Sequence, residues 1–145
     1  MIIGIGSDHG GFDLKEEMIS FLKENGYQVK DFGTHSKESV DYPDFGRVVG
    51  EAVVAGEIDR GVVICGTGIG ISISANKVKG VRAALCGDVY SARMSREHNN
   101  ANVLAMGGRV LGVDLAKEIL STYLKSEFQG GRHERRVNKI AEMED

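Results

Sequence analysis

The sequence predicts an α/β domain in which helices cover both faces of a parallel, five-stranded sheet. Five short apolar runs alternate with helical patterns along the 145 residues, and this alternation is typical of strands joined by crossover helices. Val62, Val63 and Ile64 form a continuous β-branched run, as expected of a strand that is buried on both faces. The length suits one domain, which we expect to span residues 1–145.

In the first half of the chain, periodicity defines the elements, and glycine or proline marks their ends. A strand over 2–7 leads into a polar turn, and the helix over 12–25 carries an apolar stripe that ends at Gly26. A second strand over 27–32 is followed by a polar loop up to Pro43, which suits the first turn of a helix. The predicted buried face of that helix is Phe45, Val48, Val49, Ala52 and Val53.

In the second half, one segment is ambiguous by periodicity. Residues 69–73 alternate apolar and polar side chains, which alone would favour a strand. A strand-like run over 81–85 follows closely, and parallel neighbours need a crossover element between them. We therefore predict a helix over 68–78. The remaining elements are a helix over 89–98, a strand over 103–106, an amphipathic helix marked by Leu115, Ile119, Leu120, Tyr123 and Leu124, and a charged helix over 133–143.

The composition disfavours several classes of protein. A formal net charge of −3 argues against a nucleic-acid-binding surface, and no apolar run reaches the roughly 18 residues that a membrane-spanning helix needs. The first residues show no charged segment of the kind that opens a signal peptide. Because Cys65 and Cys86 do not make a disulfide framework, we expect a cytoplasmic protein. From the charge and the short apolar runs, we expect neither nucleic-acid nor membrane partners.

The stretch from Cys65 to Gly70 is the candidate reaction centre. Its alternating glycines let backbone N–H groups converge on an anion where a helix begins, and the positive end of that helix favours a thiolate. It is not a Walker loop, because no Gly-Lys-Ser/Thr closes it, and Ile71 stands where a cysteine phosphatase needs arginine. A site for a small anion or an oxyanion remains. Cys86 follows no such turn, so we expect a small buried hydrophobe there.

Histidine and arginine supply further candidates. His9 and His98 have polar neighbours, and an imidazole there could move protons near neutral pH. Arg132 and Arg136 are four residues apart at the start of the last helix, so they share one face. Two guanidinium groups side by side suit a phosphate, although a solvated helix end fits the spacing equally well. His133 fits a surface position and a site position alike.

Two ligand alternatives have weaker patterns. The spacing Gly4-x-Gly6-x-x-x-Gly10, with Asp31 further on, is similar to a dinucleotide fingerprint, but its glycine spacing is off by one. A zinc site built from two histidines and a cysteine lacks the paired-ligand spacing typical of such sites. We therefore expect neither a metal nor a cofactor.

The candidate residues belong to a set of motifs that resembles the type B ribose-5-phosphate isomerases, part of the ribose/galactose isomerase family. The resemblance covers essentially the whole chain, with the motifs in the same order. The motifs are Ser7-Asp8-His9-Gly10-Gly11, Asp41-Tyr42-Pro43, Cys65-Gly66-Thr67-Gly68-Ile69-Gly70, Ser95-Arg96-Glu97-His98-Asn99 and Gly130-Gly131-Arg132-His133-Glu134-Arg135-Arg136-Val137.

This resemblance implies a Rossmann-like three-layer α/β/α domain and a homodimer, or a dimer of dimers, whose active sites are shared across the subunit interface. It implies metal-free interconversion of D-ribose 5-phosphate and D-ribulose 5-phosphate through a cis-enediolate, a reaction of the pentose phosphate pathway. Two alternatives stay open: isomerisation of a six-carbon sugar phosphate, such as allose 6-phosphate or galactose 6-phosphate, and a nucleotide-binding module without catalysis.

The resemblance also assigns roles to residues. Cys65 matches the base that moves a proton between C1 and C2, Thr67 assists it, and His98 matches the group that opens the sugar ring. The remaining matches are substrate contacts. They are Asp8 and Asn99 for the sugar, Gly66, Gly68, Ile69 and Gly70 for the enediolate oxygen, and His9, Arg109, Arg132 and Arg136 for the phosphate.

Overall fold

The computed structural model describes residues 1–144, so the domain predicted over 1–145 reaches one residue beyond the described range. Within residues 1–144 the chain forms five strands: β1 (Ile2–Ser7), β2 (Gln28–Asp31), β3 (Arg60–Cys65), β4 (Ala83–Leu85) and β5 (Val103–Gly107). The same range holds six α-helices: α1 (Phe12–Glu24), α2 (Tyr42–Val54), α3 (Ile69–Asn76), α4 (Val89–Glu97), α5 (Val113–Lys125) and α6 (Arg132–Ala141). A 3-10 turn, His9–Gly11, joins β1 to α1.

The strands form one parallel sheet in the order β2-β1-β3-β5-β4. The central strand, β3, pairs with β1 and β5, and its last residue Cys65 lies opposite Gly107 at the end of β5. The carboxyl ends of these three strands therefore meet at one edge of the sheet. The predicted α/β fold with a five-stranded parallel sheet is confirmed.

Side chains along β3 point alternately to two apolar layers. Val62 and Ile64 pack with side chains of α1, α4 and α5, whereas Val63 and Cys65 pack with those of α2 and α3. Each face of the sheet is thus covered by helices, which explains why β3 carries a continuous apolar run. No helix in the described part of the chain is both long enough and apolar enough to cross a membrane.

The ambiguous segment after β3 is helical, as predicted from the need for a crossover. In α3, Ile71 and Ala75 are buried against the sheet, while Ile69 and Ile73 are exposed. The prediction for α5 was wrong at one position. Leu115 is 39% exposed, because its neighbour Ala116 occupies the buried stripe. The predicted strand over 81–85 is shorter in the structure, since β4 begins at residue 83.

A buried ion pair ties α1 to the end of β2. The side chain of Lys15 is fully buried, and its Nζ lies 3.0 Å from Oδ1 of Asp31, whose side chain is 32% exposed. Lys15 also contacts Glu16 at 2.9 Å, and Asp31 accepts a hydrogen bond from the Gly33 amide at 2.8 Å. The pair therefore fixes the start of the loop that follows β2.

Replacing Lys15 by alanine should lower the free energy of unfolding by about 2 kcal/mol, because it leaves Asp31 without its buried partner and removes a packed alkyl chain. Urea unfolding would measure this loss. Lys23→Ala, at an exposed position of the same helix, is the matched control and should change stability by less than about 0.5 kcal/mol. Equal unfolding midpoints for the two variants would contradict the assigned role.

Candidate active site

The loop between β3 and α3 can be built only with glycine at Gly68. This residue has φ of +80° and immediately precedes α3. A Cβ atom there would lie 2.5 Å from Cδ1 of Leu85 and 2.7 Å from the backbone carbon of Met106, distances that no real side chain tolerates. The chain can therefore turn sharply from the strand into the helix, which keeps Cys65 beside the helix N-terminus.

The Cys65 thiol lies at the start of this turn and is aimed at its amides. Sγ accepts a hydrogen bond from the Gly68 N–H at 3.2 Å, and the residue is 5% exposed. Oγ1 of Thr67 accepts from the Ile69 N–H at 3.2 Å. An amide donor and the N-terminus of α3 therefore both face the sulfur.

An open cavity of about 480 Å³ lies over the thiol. Asp8 enters its wall from the end of β1, with Oδ1 held by the Gly11 N–H at 3.1 Å. Tyr42, at the start of α2, also lines the cavity, and its ring leaves no room for a side chain at Gly70. We call this cavity the Cys65 cleft; its walls are Asp8, Tyr42, Cys65, Gly66, Thr67, Ile69, Gly70 and Ile73.

His9 and Arg109 lie in the turns next to the Cys65 cleft. Nδ1 of His9 accepts a hydrogen bond from the Val40 N–H at 3.2 Å, so the ring presents Nε2–H as a donor. The Arg109 N–H donates to the Gly66 carbonyl at 2.9 Å. The Arg109 guanidinium lies close to Gly10 and Gly66. A Cβ atom added at either glycine would lie 3.3 Å from a guanidinium atom. Both side chains can therefore offer donors to an anion at this edge.

His98 and Asn99 lie at the opposite end of the sheet in the same chain. They fall between the end of α4 and the start of β5, whereas Cys65 is paired with the last residue of β5. A five-residue strand separates these ends by about 13 Å. Asn99 lines a second cavity, of about 490 Å³, at that end.

The N-terminus of α6 lies against His98. The rings of His98 and His133 are stacked, with centroids 4.1 Å apart and planes inclined by 8°. Burial, together with the nearby His98, Arg132 and Arg136, lowers the pKa of His133. Arg132 and Arg136 are both exposed on the same helix. Sequence patterns left His133 open between surface and site, and the structure makes it the buried neighbour of His98.

The predicted site residues thus form two groups in one chain. The group around the Cys65 cleft is Asp8, His9, Cys65, Gly66, Thr67, Gly68, Ile69, Gly70 and Arg109, and the group around His98 is His98, Asn99, Arg132 and Arg136. Sequence reasoning gave no role to Tyr42, although it stands in one of the quoted motifs; only the docking of α2 brings it to the cleft.

The alternatives are weakened by packing. The first glycines of the dinucleotide-like pattern face apolar side chains, since a Cβ on Gly4 would clash with Ile58 and one on Gly6 would come within 2.9 Å of Val49. Asp31 is already paired with Lys15. No three histidine, cysteine, aspartate or glutamate side chains within residues 1–144 converge as metal ligands.

Cys86 occupies the apolar layer on the other face of the sheet from Cys65. Burial, opposed by a hydrogen bond from Ser95 and reinforced by Asp88, raises the pKa of its thiol to about 11. At neutral pH Cys86 is therefore a protonated, small apolar side chain, as the sequence predicts.

The fold and the cleft define an α/β protein that places a thiol, a glycine turn and polar groups at the carboxyl ends of its central strands. The sequence model of the ribose/galactose isomerase family matches residues 3–140. The chain belongs to this family, whose members are sugar phosphate isomerases.

Relatives with different names share this architecture. The chain is 51% identical to ribose-5-phosphate isomerase B of Escherichia coli, covering 98% of this chain and 95% of that protein. It is 45% identical to the galactose-6-phosphate isomerase subunit LacB of Clostridium acetobutylicum, covering 96% and 80%. The structure of Clostridium thermocellum ribose-5-phosphate isomerase B superposes with a TM-score of 0.98 at 68% identity, covering 99% of this chain and 97% of that one.

Proposed function

We propose that this protein interconverts D-ribose 5-phosphate and D-ribulose 5-phosphate through a cis-enediolate. The observation that carries the proposal is the Cys65 thiol, held by the Gly68 amide at 3.2 Å in the wall of an open cleft. A base beside converging backbone donors is what removal of a proton next to a carbonyl requires. The ribose-5-phosphate isomerase B relatives support the choice of sugar.

In the proposed mechanism, the Cys65 thiolate takes the proton from C2 of the open-chain aldose. The electron pair of that C–H bond forms the C1–C2 double bond, and negative charge develops on O1. The amides of the turn from Gly66 to Gly70 stabilise this charge. A proton then passes from O2 to O1 with the help of Thr67, and Cys65 returns its proton to C1 to give the ketose.

The phosphate is assigned to His9, Arg132 and Arg136, with Arg109 beside them. His9 contributes Nε2–H, because its Nδ1 is occupied by the Val40 N–H. Binding the phosphate away from the thiol lets remote contacts hold the reacting carbon against the base.

We further propose a homodimer, or a dimer of such dimers, in which each site combines two subunits. The support is the separation within one chain, where β5 lies between the Cys65 cleft and His98. A twofold partner brings His98, Asn99, Arg132 and Arg136 to the cleft, since an isologous interface applies each contact twice.

With no disulfide between Cys65 and Cys86, we place the protein in the cytoplasm.

Turnover of D-ribose 5-phosphate, without added metal or nicotinamide, tests the proposal directly. We expect ribulose 5-phosphate to form, and its absence would refute the function. The LacB relative supports a second candidate, a six-carbon sugar phosphate. Values of kcat/KM for ribose 5-phosphate, allose 6-phosphate and galactose 6-phosphate separate the two. Calorimetric titration with NAD and ATP tests the nucleotide-binding alternative, for which we expect no saturable heat.

Replacing Gly66 by proline should lower kcat by about 100-fold, because it removes one amide that faces the enediolate oxygen. Competitive inhibition by inorganic phosphate should change by less than about threefold, since the phosphate is assigned elsewhere. Gly66→Ala is the matched control: it keeps the N–H, and the atom nearest to its Cβ would be Nη1 of the flexible Arg109 side chain, at 3.3 Å. A larger loss in phosphate affinity than in kcat would contradict the assignment.

A further inference from the structure

The stacked pair of His98 and His133 joins the end of one helix to the start of another. His133 is 8% exposed, and its ring lies nearly parallel to that of His98, with 4.1 Å between centroids. At this distance the two rings are in van der Waals contact over their faces. One face of the His98 imidazole is therefore covered by a neighbour from α6.

Two hydrogen bonds attach the segment before α6 to the end of α4. Gln129 bonds twice to Glu97, through its backbone N–H to the carbonyl at 3.0 Å and through Nε2 to Oε1 at 2.9 Å. Gly130 and Gly131 both have positive φ, which lets α6 begin immediately after this attachment. These contacts therefore fix the position of the start of α6 relative to the end of α4.

Hydrogen bonds also fix the backbone around His98. The His98 N–H donates to the Met94 carbonyl at 2.8 Å. Nη1 of the buried Arg96 donates to Oδ1 of Asn100 and to the Ala101 carbonyl, both at 2.8 Å. With the backbone held, rotation of the imidazole about its side-chain torsions is the remaining freedom, and the ring of His133 limits it.

The ring of His133 is suited to stacking on His98 because it is uncharged. Burial, the imidazole of His98 and the flanking Arg132 and Arg136 all lower its pKa, so it is uncharged at neutral pH. A neutral ring can lie flat against His98 without repelling it when His98 carries a proton.

We propose that His133 is a positioning residue for the opening of the sugar ring, because it fixes the plane of the His98 imidazole. The inference rests on the proposed function, in which His98 opens the furanose. Ring opening breaks the bond between C1 and the ring oxygen; that oxygen gains a proton, the C1 hydroxyl loses one, and the aldehyde forms. Both transfers need the imidazole at a defined angle to the sugar.

Ribulose 5-phosphate provides a test that bypasses this step. Its carbonyl is at C2 and its O5 carries the phosphate, so it cannot close a five-membered ring and is already open. Exchange of a C1 proton of ribulose 5-phosphate with solvent deuterium, followed by NMR, reports Cys65 chemistry alone. Turnover of ribose 5-phosphate reports ring opening as well.

For His133→Ala, we expect kcat with ribose 5-phosphate to fall about 30-fold and the C1 exchange rate to change by less than about twofold. His133→Phe restores a flat ring and should recover most of the turnover. His35→Ala, at an exposed histidine, is the matched control and should leave both rates unchanged.

Equal losses in the two rates for His133→Ala, or no loss in either, would overturn the positioning role. Failure of His133→Phe to recover turnover would also count against it, because a flat ring would then not be what His98 needs. Failure of the proposed function looks different. In that case wild-type protein would show neither turnover nor exchange, or both would survive Cys65→Ala.

Discussion

Replacement of Cys65 by alanine is expected to lower kcat for ribose 5-phosphate by about a thousandfold, with KM changed by less than about threefold. In the proposed mechanism the Cys65 sulfur acts only when a proton moves, so its loss removes stabilisation of the transition state and leaves ground-state binding intact. Steady-state kinetics on the purified variant measures both constants. The exchange of the C1 proton of ribulose 5-phosphate should fall in parallel.

Cys86→Ala is the matched control for this experiment, because it removes the other thiol from the opposite face of the sheet. We expect kcat to stay within about twofold of the wild type and the unfolding midpoint to fall slightly, as for a small cavity in a core. A Cys65→Ala variant that keeps wild-type turnover would mean that another group is the base.

A mixed dimer of Cys65→Ala and His98→Ala chains is expected to be active, although each parent is nearly inactive. If one site takes its thiol from one chain and its imidazole from the other, the mixed dimer holds one intact site of two. Its turnover per dimer should therefore be about half that of the wild type. The pure heterodimer can be obtained by co-expressing the two chains with different affinity tags.

The opposite result is equally informative. A heterodimer as inactive as its parents would show that thiol and imidazole act within one chain. Heterodimers of Cys65→Ala with wild type provide the control, since they also keep one intact site and should show about half the wild-type rate.

The local parts of the site could be predicted from the sequence because they are contiguous. Cys65 ends β3 and the glycines follow it directly, so one strand, one turn and one helix place them. The separation of His98 from Cys65 was also contained in the order of elements: a residue between a helix and the following parallel strand lies at the amino edge of the sheet. Only the helix and strand assignments were needed to see it.

Other parts depended on packing that no local pattern encodes. His133 contacts His98 because α6 packs against the end of α4. Neither the residue types nor their spacing predicts that contact. The wall position of Tyr42 follows from the approach of α2 to Gly70. Leu115 shows the reverse case, where an apolar residue suits the helical stripe but the neighbouring alanine is the one that fits against the core.

The placement of the thiol and the imidazole at opposite edges of one sheet has a consequence for how this enzyme responds to dilution. If each reaction centre takes residues from two chains, as proposed, a lone chain has no turnover, and assembly and catalysis obey the same mass-action law. The specific activity then falls on dilution as the dimer dissociates, and a variant that weakens the interface behaves as a catalytic variant at low protein concentration.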